Sequence, residues 1–591
     1  MRPQNWRSTA PALIVVIILL SILYNADAFA DYHYASHTGS DEYPYTSWET
    51  AADSIQKAID AASAGDTIYV GSGSWQDWPL NLWNGLALIG RGPDSTVLAA
   101  PGYSTYIFPE DSTLIEGFLF EPSTHPDSAL ALYYLYMENV TVKNNILRHV
   151  RRGLIGVYSG TIENNIFEET EIAIDGSFDA CSLLVKNNSF RCGRRSAIEG
   201  EGKWTIVNNI FHPCLDHLSG FVLGLGMQFS QDSSYIAGNL IYRNDAGDDD
   251  SAPQIALANN VVFENNTVVG FPEAPIYTAV EYWNYYDYVL RPRNNVIAGY
   301  RFAFTSFTGP NAELSYNCLW NNSLWGQQDT IVGNVFWDPM FIDTSDYHLQ
   351  AYSPCINAGD PNIFDVDGSR SDIGCYGGPY GASYSYMDLS PKTPDSLSAR
   401  ISGDSLIITW RQNAEADFYR YMVNRETVSG FTPWAGNIVS EPETSLFVDL
   451  NWDRQHNYYY RVAAYDNQLN LSPYSEELAV VNVGVFDEQL LTPRISYIEK
   501  NYPNPFNEQT IINYHLADLG YQPAEVQLII CDIGGRLVKT LVNQRQYPGD
   551  YRISWDGRDE GGESVSSGIY FARLIVSGIE LQRAQKIVLL K

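Results

Sequence analysis

Charged side chains recur at fixed distances after a repeated asparagine in the middle of the chain. Three residues after successive asparagines stand Arg148, Glu168 and Arg191. The guanidinium group of arginine is a planar fork that can bind a carboxylate or a sulfate through two hydrogen bonds. A second column, six residues after the same asparagines, contains Arg151, Glu171 and Arg194, and the position seven residues after carries Arg152, Ile172 and Arg195.

Two interpretations of these columns stay open. The alternation of basic and acidic residues predicts salt-bridge ladders, in which each glutamate neutralises the arginines of neighbouring repeats. Alternatively, the arginines form a patch that binds carboxylates or sulfates of a polysaccharide. In a lyase, one Arg or Lys with a lowered pKa would remove the proton next to a uronate carboxylate. His212 stands three residues after the next asparagine and extends the first column.

An aromatic segment is a second candidate for ligand binding. Tyr282, Trp283 and Tyr285 belong to a segment of one of the longer repeats in which aromatic residues are interleaved with polar ones. Aromatic faces stack on sugar rings, so the segment could serve as a carbohydrate platform. The alternative is a strand that packs aromatic side chains on both of its faces.

Two acidic segments are candidates for calcium, which prefers oxygen ligands. The first is a long loop, in which the alternative is simply a solvated acidic surface. The second alternates carboxylates around a glycine but has no distal Glu of the EF-hand kind, so a structural turn is the alternative. The loop carboxylates are Asp245, Asp248, Asp249 and Asp250, and those of the second segment are Asp365, Asp367 and Asp372.

The repeated asparagine belongs to a short phrase of two asparagines followed by apolar residues. The spacing is typical of a solenoid whose coils carry loop insertions. Asparagine tolerates the left-handed turn conformation and can hydrogen-bond to an asparagine one coil away. We therefore expect a structural asparagine ladder, with the following apolar residue pointing inward. The second asparagines of the phrases and their weaker copies stand at positions 145, 165, 188, 209, 239, 266, 295, 317 and 334.

A short helical pattern precedes these repeats. Ile55, Ala58, Ile59 and Ala62 have helical spacing, Asp53 or Ser54 can cap the start, and a strand follows. The helix followed by Asn-Asn coils resembles the right-handed parallel β-helix proteins of the pectate-lyase-like superfamily over residues 31–385. The resemblance implies the fold. It does not extend to the calcium-binding aspartates or the Arg-x-Pro-x-x-Arg phrase of pectate lyases, because Arg291-Pro292-Arg293 is too short.

A proline-bearing linker near residue 391 opens a different pattern of alternating strands. Residues 391–482 resemble a fibronectin type III domain, with Trp410 on an early strand and an aromatic-rich late strand from Tyr458 to Asp466. Modules of this kind usually act as spacers.

The last segment carries a third resemblance. Asn501-Tyr502-Pro503-Asn504-Pro505-Phe506-Asn507, Ser567-Gly568-Ile569-Tyr570-Phe571 and the final Lys586–Lys591 strand are similar to the C-terminal sorting domain of the type IX secretion system. This resemblance, over residues 496–591, implies an Ig-like sandwich that engages the secretion machinery and directs export across the outer membrane.

The N-terminal segment and the net charge predict where the protein is located and which partners it can bind. Arg2 and Arg7 precede a short apolar run and small residues ending at Ala30, a pattern that predicts a cleavable signal peptide over residues 1–30. No later stretch is apolar enough to cross a membrane. With 36 basic and 69 acidic residues, the net charge is −33, which argues against a nucleic-acid partner.

Seven cysteines in an exported chain permit disulfides, and the odd number leaves at least one unpaired. Cys192 and Cys214 fall on adjacent coils and could pair, as could Cys355 and Cys375. Buried thiols that pack as small apolar groups are the alternative.

The sequence as a whole predicts an all-β protein, in which a right-handed parallel β-helix solenoid is followed by two β-sandwiches, fibronectin type III-like and Ig-like. The predicted location is secreted or at the cell surface. One hypothesis for its function is binding of glycans or other surface partners along the solenoid; the alternative is a lyase or hydrolase of acidic glycans. Calcium is the candidate cofactor.

Overall fold

The computed structural model of the 591-residue chain is almost entirely β-structure. No described helix has the length and apolarity that a membrane crossing requires. The described residues are 30–99, 105–123, 130–176, 181–191, 196–212, 223–225, 234–242, 255–258, 261–270, 278–283, 290–306, 313–322, 330–402, 405–453, 455–481, 496–499, 501–516, 524–533, 535–547, 549–576, 579–580 and 584–590. The predicted signal peptide, apart from Ala30, lies outside them.

The first of two units, residues 1–165, begins with a short helix, Ile55–Ala61. Its Ile55, Ala58 and Ile59 side chains are buried, as the helical spacing predicts. Ser54 occupies the N-cap position but makes no side-chain cap, so the predicted capping is wrong. The backbone N–H of Ile55 instead donates to Asp77 Oδ2 at 2.5 Å, from a residue remote in sequence.

Parallel strands of the first unit form three sheets, which we number in the order in which the chain meets them. The first sheet contains Tyr32–Ala35, Thr67–Val70, Ala87–Gly90, Leu114–Glu116, Val140–Lys143 and Ser159–Glu163. The second contains Gly73–Trp75, Thr96–Leu98, Leu119–Phe120 and Ile146–Arg148. The third contains Leu80–Asn81, Thr105–Phe108, Leu130–Met137 and Arg152–Val157.

The second unit, residues 166–591, begins with the same three-sheet arrangement. Its first sheet contains Ser182–Lys186, Lys203–Val207, Ser234–Ala237 and Val261–Glu264, with a separate pair Glu313–Ser315 and Thr330–Val332. The second contains Ile166–Glu168, Ser189–Arg191, Ile210–His212, Leu240–Tyr242, Thr267–Val269, Val296–Ala298 and Cys318–Trp320. The third contains Ile172–Gly176, Ser196–Gly200, Leu223–Leu225, Ile255–Ala258, Thr278–Trp283 and Phe302–Ser306.

The two asparagines of each phrase have different structural roles. The first one adopts the left-handed conformation, with φ of 56° at Asn164 and 55° at Asn208, which turns the chain between the first and second sheets. Gly238 and Gly333 occupy the same position in later coils with φ of 66° and 67°. The first asparagine is therefore a turn residue that glycine can replace.

The second asparagine is buried and forms the predicted ladder within each unit. Asn145 Nδ2 donates to Asn165 Oδ1 at 3.1 Å in the first unit. In the second unit, Asn209 Nδ2 donates to Asn239 Oδ1 at 3.0 Å and to the Val185 carbonyl at 2.9 Å. The same contact continues at 3.0–3.2 Å through Asn239, Asn266, Asn295, Asn317 and Asn334.

The apolar residues after the ladder alternate between the two faces of the second sheet. Phe167, Phe190 and Phe211 are buried and stack with ring centroids 4.9 and 4.6 Å apart. The residue directly after the asparagine points outward instead, and Ile210 is 43% exposed. The inward residue is thus the second one after the asparagine, because side chains alternate along a strand.

A non-repetitive segment, residues 338–387, covers part of the outer face of the second sheet in the second unit. Leu349, Cys355 and Ile373 pack against Val296 and Cys318 of the sheet. Of the two alternatives for Cys355 and Cys375, the structure supports buried free thiols and not a disulfide, and Cys355 lies beside the buried Cys318 thiol. Cys192 and Cys214 lie outside the described residues. We call residues 338–387 the covering segment.

Two antiparallel bodies follow in the second unit. The first pairs Ser398–Ser402, Ser405–Thr409 and Leu446–Asp449 in one sheet, and Ile438–Ser440, Phe418–Glu426, Tyr458–Asp466 and Leu478–Val480 in the other, with a 3₁₀ turn at Ala435–Asn437. The second pairs Tyr497–Ile498, Thr510–Leu516 and Gly549–Trp555, and opposite them Leu537–Gln546, Ala524–Asp532, Gly568–Val576, Ile579–Glu580 and Gln585–Leu589. Trp410 and Trp555 are central to the two cores.

The asparagine ladder makes a stability prediction. Asn209→Ala should lower the free energy of unfolding of the solenoid by about 3 kcal/mol or more, because it leaves buried amide groups of neighbouring coils without partners. The matched control is Asn208→Gly, which should cost less than about 1 kcal/mol since glycine adopts the left-handed turn readily. Urea unfolding followed by circular dichroism measures both. Equal effects of the two substitutions would contradict a structural role for the ladder.

Candidate functional site

The first charged column lies on the outer face of the second sheet in the second unit. Glu168 is in register with Arg191, and Arg191 with His212. Each follows a buried phenylalanine by one residue, so the alternation of the strand turns it outward. The second asparagines of the repeated phrases, which we call the marker asparagines, therefore place these three residues correctly in one column.

The column contains an ion pair between Glu168 and Arg191, followed by stacked rings at His212. Arg191 Nη1 lies 3.3 Å from Glu168 Oε1, and its Nε donates to Ser189 Oγ at 3.1 Å. The Arg191 side chain is still 52% exposed. The His212 ring stacks on Tyr242 of the next coil with centroids 4.7 Å apart and planes 10° apart.

The exposed part of this face ends where aromatic side chains pack against it. Tyr242 contacts the ring of Tyr347, from the covering segment, at 5.0 Å. Tyr347 is buried together with Leu240 and Cys375, and it packs near Val269. Within the described part of this face, the exposed side chains therefore lie in the coils before Tyr242, where Glu168, Arg191, Ile210 and His212 reach the surface. We call this surface the Arg191 face.

The remaining charged candidates are only partly described. In the first unit, Arg148 Nη1 lies 3.8 Å from Glu121 Oε1. Arg151 is exposed on that unit, and Glu171 is half-buried on the second unit. Arg194 and Arg195 lie outside the described residues. The second predicted column thus stays a prediction.

The structure corrects the aromatic platform. Tyr282 is only 3% exposed and is in register with buried Leu257, so its ring belongs to the interior. Trp283 is half-buried and hydrogen-bonds through its side chain to Glu281. Tyr285 lies outside the described residues. The strand that packs aromatic side chains is the interpretation that fits Tyr282.

The calcium candidates fall into two groups. Asp245, Asp248, Asp249 and Asp250 lie outside the described residues. In the covering segment, Asp365 accepts hydrogen bonds from the backbone N–H groups of Asp372 and Gly378. Asp367 accepts from the Ser369 backbone at 2.9 Å, and Asp372 accepts from Asn357 N at 2.7 Å. These carboxylates stabilise turns, which agrees with the structural interpretation.

A third column of candidates was not found from the sequence. On the third sheet of the second unit, Asp175 is in register with Glu199, and the outward positions of later coils carry Gly224, Ala256 and Glu281. Asp175 is 5% exposed, Glu199 is half-buried, and Glu281 is 7% exposed. Burial raises the pKa of Glu281, although a hydrogen bond from Trp283 opposes the shift.

Variable loops explain why the sequence hides this acidic column. Asp175 stands ten residues after its marker asparagine, whereas Ala256 stands seventeen after its own. The marker therefore aligns the second sheet, which follows it directly, but not the third. Only the observed strand register brings Asp175 and Glu199 to the same column.

Comparison with known families agrees with the solenoid. The family described as "Right handed beta helix region" matches residues 129–289. The solenoid is a right-handed β-helix. This fold is consistent with a carbohydrate-related protein. A second family, "FlgD Ig-like domain", matches residues 518–574, within the last antiparallel body.

Likenesses to individual proteins are weaker. No curated protein matches the chain. A Fn3-like protein from Clostridium thermocellum is 25% identical over 16% of this chain and 94% of its own, with a TM-score of 0.14. The catalytic unit of a GH87 alpha-1,3-glucanase from Streptomyces thermodiastaticus is 17% identical over 50% of this chain and 60% of its own, with a TM-score of 0.34. These low overall likenesses assign no activity to this chain.

Proposed function

We propose that this chain is an exported protein that binds acidic glycans on the Arg191 face of its β-helix. The observation that carries the proposal is the in-register column of Glu168, Arg191 and His212, which ends at the Tyr242 ring. It combines a half-exposed guanidinium with an aromatic surface. Both are groups that recognise sugars, the first through carboxylates or sulfates and the second through stacking.

The stacked phenylalanines position these groups. Because Phe190 and Phe211 fill the interior, a ligand can reach only the outer face of the sheet. Neighbouring coils lie about 4.8 Å apart, so the column presents one side chain for each such step. An extended polymer that runs along the coil axis can therefore contact several coils at once.

The acidic column on the third sheet favours a second candidate function, hydrolysis of a glycan. Retaining glycosidases hold two carboxylates about 5–5.5 Å apart, one as nucleophile and one as acid and base. Asp175 and Glu199 are in register on neighbouring strands, a separation of about 4.8 Å between backbones. Of the two enzyme alternatives, this arrangement supports a hydrolase rather than a lyase.

Export and modular roles complete the proposal. The charged and apolar N-terminal pattern supports a signal peptide, and residues 391–482 serve as a fibronectin type III-like spacer. The FlgD Ig-like match supports an Ig-like module near the C-terminus. The motif phrases of residues 496–591 support its role as a sorting domain, which would bring the chain to the medium or the cell surface.

Glycan binding can be tested on an array of neutral and acidic polysaccharides. Arg191→Ala should weaken binding of acidic glycans at least tenfold, because it removes a charge-assisted contact. Its effect on stability should stay below about 1 kcal/mol, since the ion pair with Glu168 is half-exposed. Arg291→Ala is the matched control, because Arg291 is also an exposed arginine paired with a glutamate, at 2.7 Å from Glu313.

Equal glycan affinity in the wild type and in Arg191→Ala would contradict the binding proposal. Loss of binding in Arg291→Ala alone would indicate that the glycan binds at another sheet. His212→Ala should weaken binding less, because its ring rests on Tyr242 and the tyrosine face would remain for stacking.

Hydrolysis is tested by the appearance of new reducing ends from the glycans that bind. Glu199→Gln and Asp175→Asn should each lower turnover at least a hundredfold if these carboxylates act as the pair. Glu313→Gln, at a half-exposed carboxylate on the first sheet, should leave turnover unchanged. Turnover that persists in both column variants would rule out this acid pair, and ultraviolet-absorbing unsaturated products would indicate a lyase instead.

Export can be followed in a bacterium that carries the type IX secretion system. Removal of residues 496–591 should leave the chain in the periplasm, because the proposed sorting domain is lost. A chain lacking residues 391–482 should still reach the medium or the cell surface. Detection of the first truncation outside the outer membrane would contradict the sorting role.

A further inference from the structure

Three carboxylates from separate parts of the second unit meet at the start of the first antiparallel body. Asp388 comes from the segment between the covering segment and this body. Asp417 immediately precedes the strand Phe418–Glu426, and Asp466 ends the strand Tyr458–Asp466. One carboxylate oxygen of each lies within 4.8 Å of the others. The pairing of Phe418 with Asp466 brings the two strand ends together.

Two of these carboxylates are deeply buried, and of the two only Asp466 accepts hydrogen bonds from neighbouring residues of the described chain, among them the backbone N–H groups of Gln468 and Asn470. Asp417 is 6% exposed and Asp466 is inaccessible. Among the described residues, no side-chain donor or cation lies within hydrogen-bonding or ion-pairing distance of the Asp417 carboxylate. Its charged neighbours are Asp466, Glu415 and Asp388, all acidic. Burial and these like charges raise the pKa of Asp417 to about 6.

Two residues that interact with this cluster, Glu415 with the Asp417 charge and Gln468 through its backbone N–H with Asp466, also carry buried side-chain oxygen atoms. Glu415 is 7% exposed, and its Oε2 is buried without a hydrogen-bond partner in the described part of the chain, while its Oε1 accepts from Lys392 N at 2.7 Å. Lys392 Nζ is paired with Asp338 at 2.7 Å. The buried Gln468 Oε1 also lacks a partner among the described residues.

The amide of Asn470 now bridges two of the carboxylates. Its Nδ2 donates to Asp466 Oδ2 at 2.9 Å and to Asp388 Oδ2 at 3.2 Å. Oxygen and nitrogen of such an amide exchange places by a half-turn of the side chain. After that turn, the Asn470 oxygen would join the carboxylates as a further ligand.

We propose that Asp388, Asp417 and Asp466 form a calcium site at the junction between the covering segment and the first antiparallel body. Calcium is a hard cation that takes six to eight oxygen ligands in flexible geometry. Three carboxylates, the Asn470 amide oxygen after its half-turn, and water supply that set. Magnesium demands a more regular octahedron, and zinc prefers nitrogen and sulfur, so both fit this donor set less well.

The cation would have a structural consequence. Asp388 belongs to the connecting segment, whereas the other two carboxylates belong to the antiparallel body. Bound calcium neutralises the buried carboxylates and ties the segment to the body. The site thus strengthens a connection in which the three carboxylates otherwise repel one another.

Calcium binding is tested by calorimetric titration of the purified full chain with CaCl₂ at pH 7.5. A Kd of roughly 10⁻⁴–10⁻³ M is expected, as for extracellular calcium modules. Asp417→Asn should abolish the corresponding heat. Asp453→Asn is the matched control, because Asp453 lies in an exposed turn of the same body, where it binds His456. The titration is repeated in an Asp248→Asn/Asp249→Asn variant, in which the heat that depends on Asp417 must survive.

Thermal unfolding in the presence of a chelator separates this proposal from a simple folding defect. The pKa of the Asp417 carboxyl is raised in the folded state, so protonation of Asp417 stabilises the folded protein. This stabilisation is complete below about pH 4 and is lost as the pH rises through about 6. Asp417→Asn should therefore match the wild-type Tm at pH 4 and exceed it by a few degrees at pH 8. Calcium should raise the Tm of the wild type only.

The proposal is overturned by any of three results. The first is the absence of Asp417-dependent heat up to 5 mM calcium, roughly five times the upper expected Kd. The second is an unchanged calcium affinity in Asp417→Asn. The third is an equal calcium-induced rise in Tm in the wild type and in Asp417→Asn. Below pH 6 the affinity of the wild type should fall about tenfold per pH unit, because calcium must displace the Asp417 proton.

Discussion

The buried asparagine ladder is the interaction on which the solenoid depends. Asn209 donates to a backbone carbonyl of the preceding coil and to Asn239 of the following one, and it accepts from Asn188. An unpaired buried amide costs free energy comparable to a lost hydrogen bond. Each asparagine therefore stabilises the fold only when its neighbours are in place, which couples successive coils and fixes their register.

Fixed register determines where chemistry can occur. The inward positions are filled by stacked rings such as Phe167, Phe190 and Phe211, so they are closed to ligands. Outward positions repeat at the coil spacing, and a charged residue there acquires neighbours from coils more than twenty residues away. Arg191 meets Glu168 and His212 in this way. The covering segment then limits the open face at Tyr242.

The parts that sequence patterns predict well are those close to the ladder. The solenoid, the roles of the asparagines and the column of Glu168, Arg191 and His212 follow from a short, constant distance to the marker. Tyr282 was misplaced because alternation alone does not tell which phase points inward. The acidic column was missed because loops of different length precede the third sheet. Asp388, Asp417 and Asp466 meet only through tertiary packing, which no local spacing records.

The net charge of −33 constrains the proposed binding of an acidic glycan by the Arg191 face. The chain as a whole repels such a polymer, but at physiological salt this repulsion is screened beyond about 8 Å. Recognition must then rest on short-range contacts rather than on long-range attraction. A bidentate contact with Arg191 alone competes with Glu168, which already holds that guanidinium at 3.3 Å. Contact with the stacked rings of His212 and Tyr242 does not have to displace an ion pair, so these rings are as important to the proposed binding as the arginine itself.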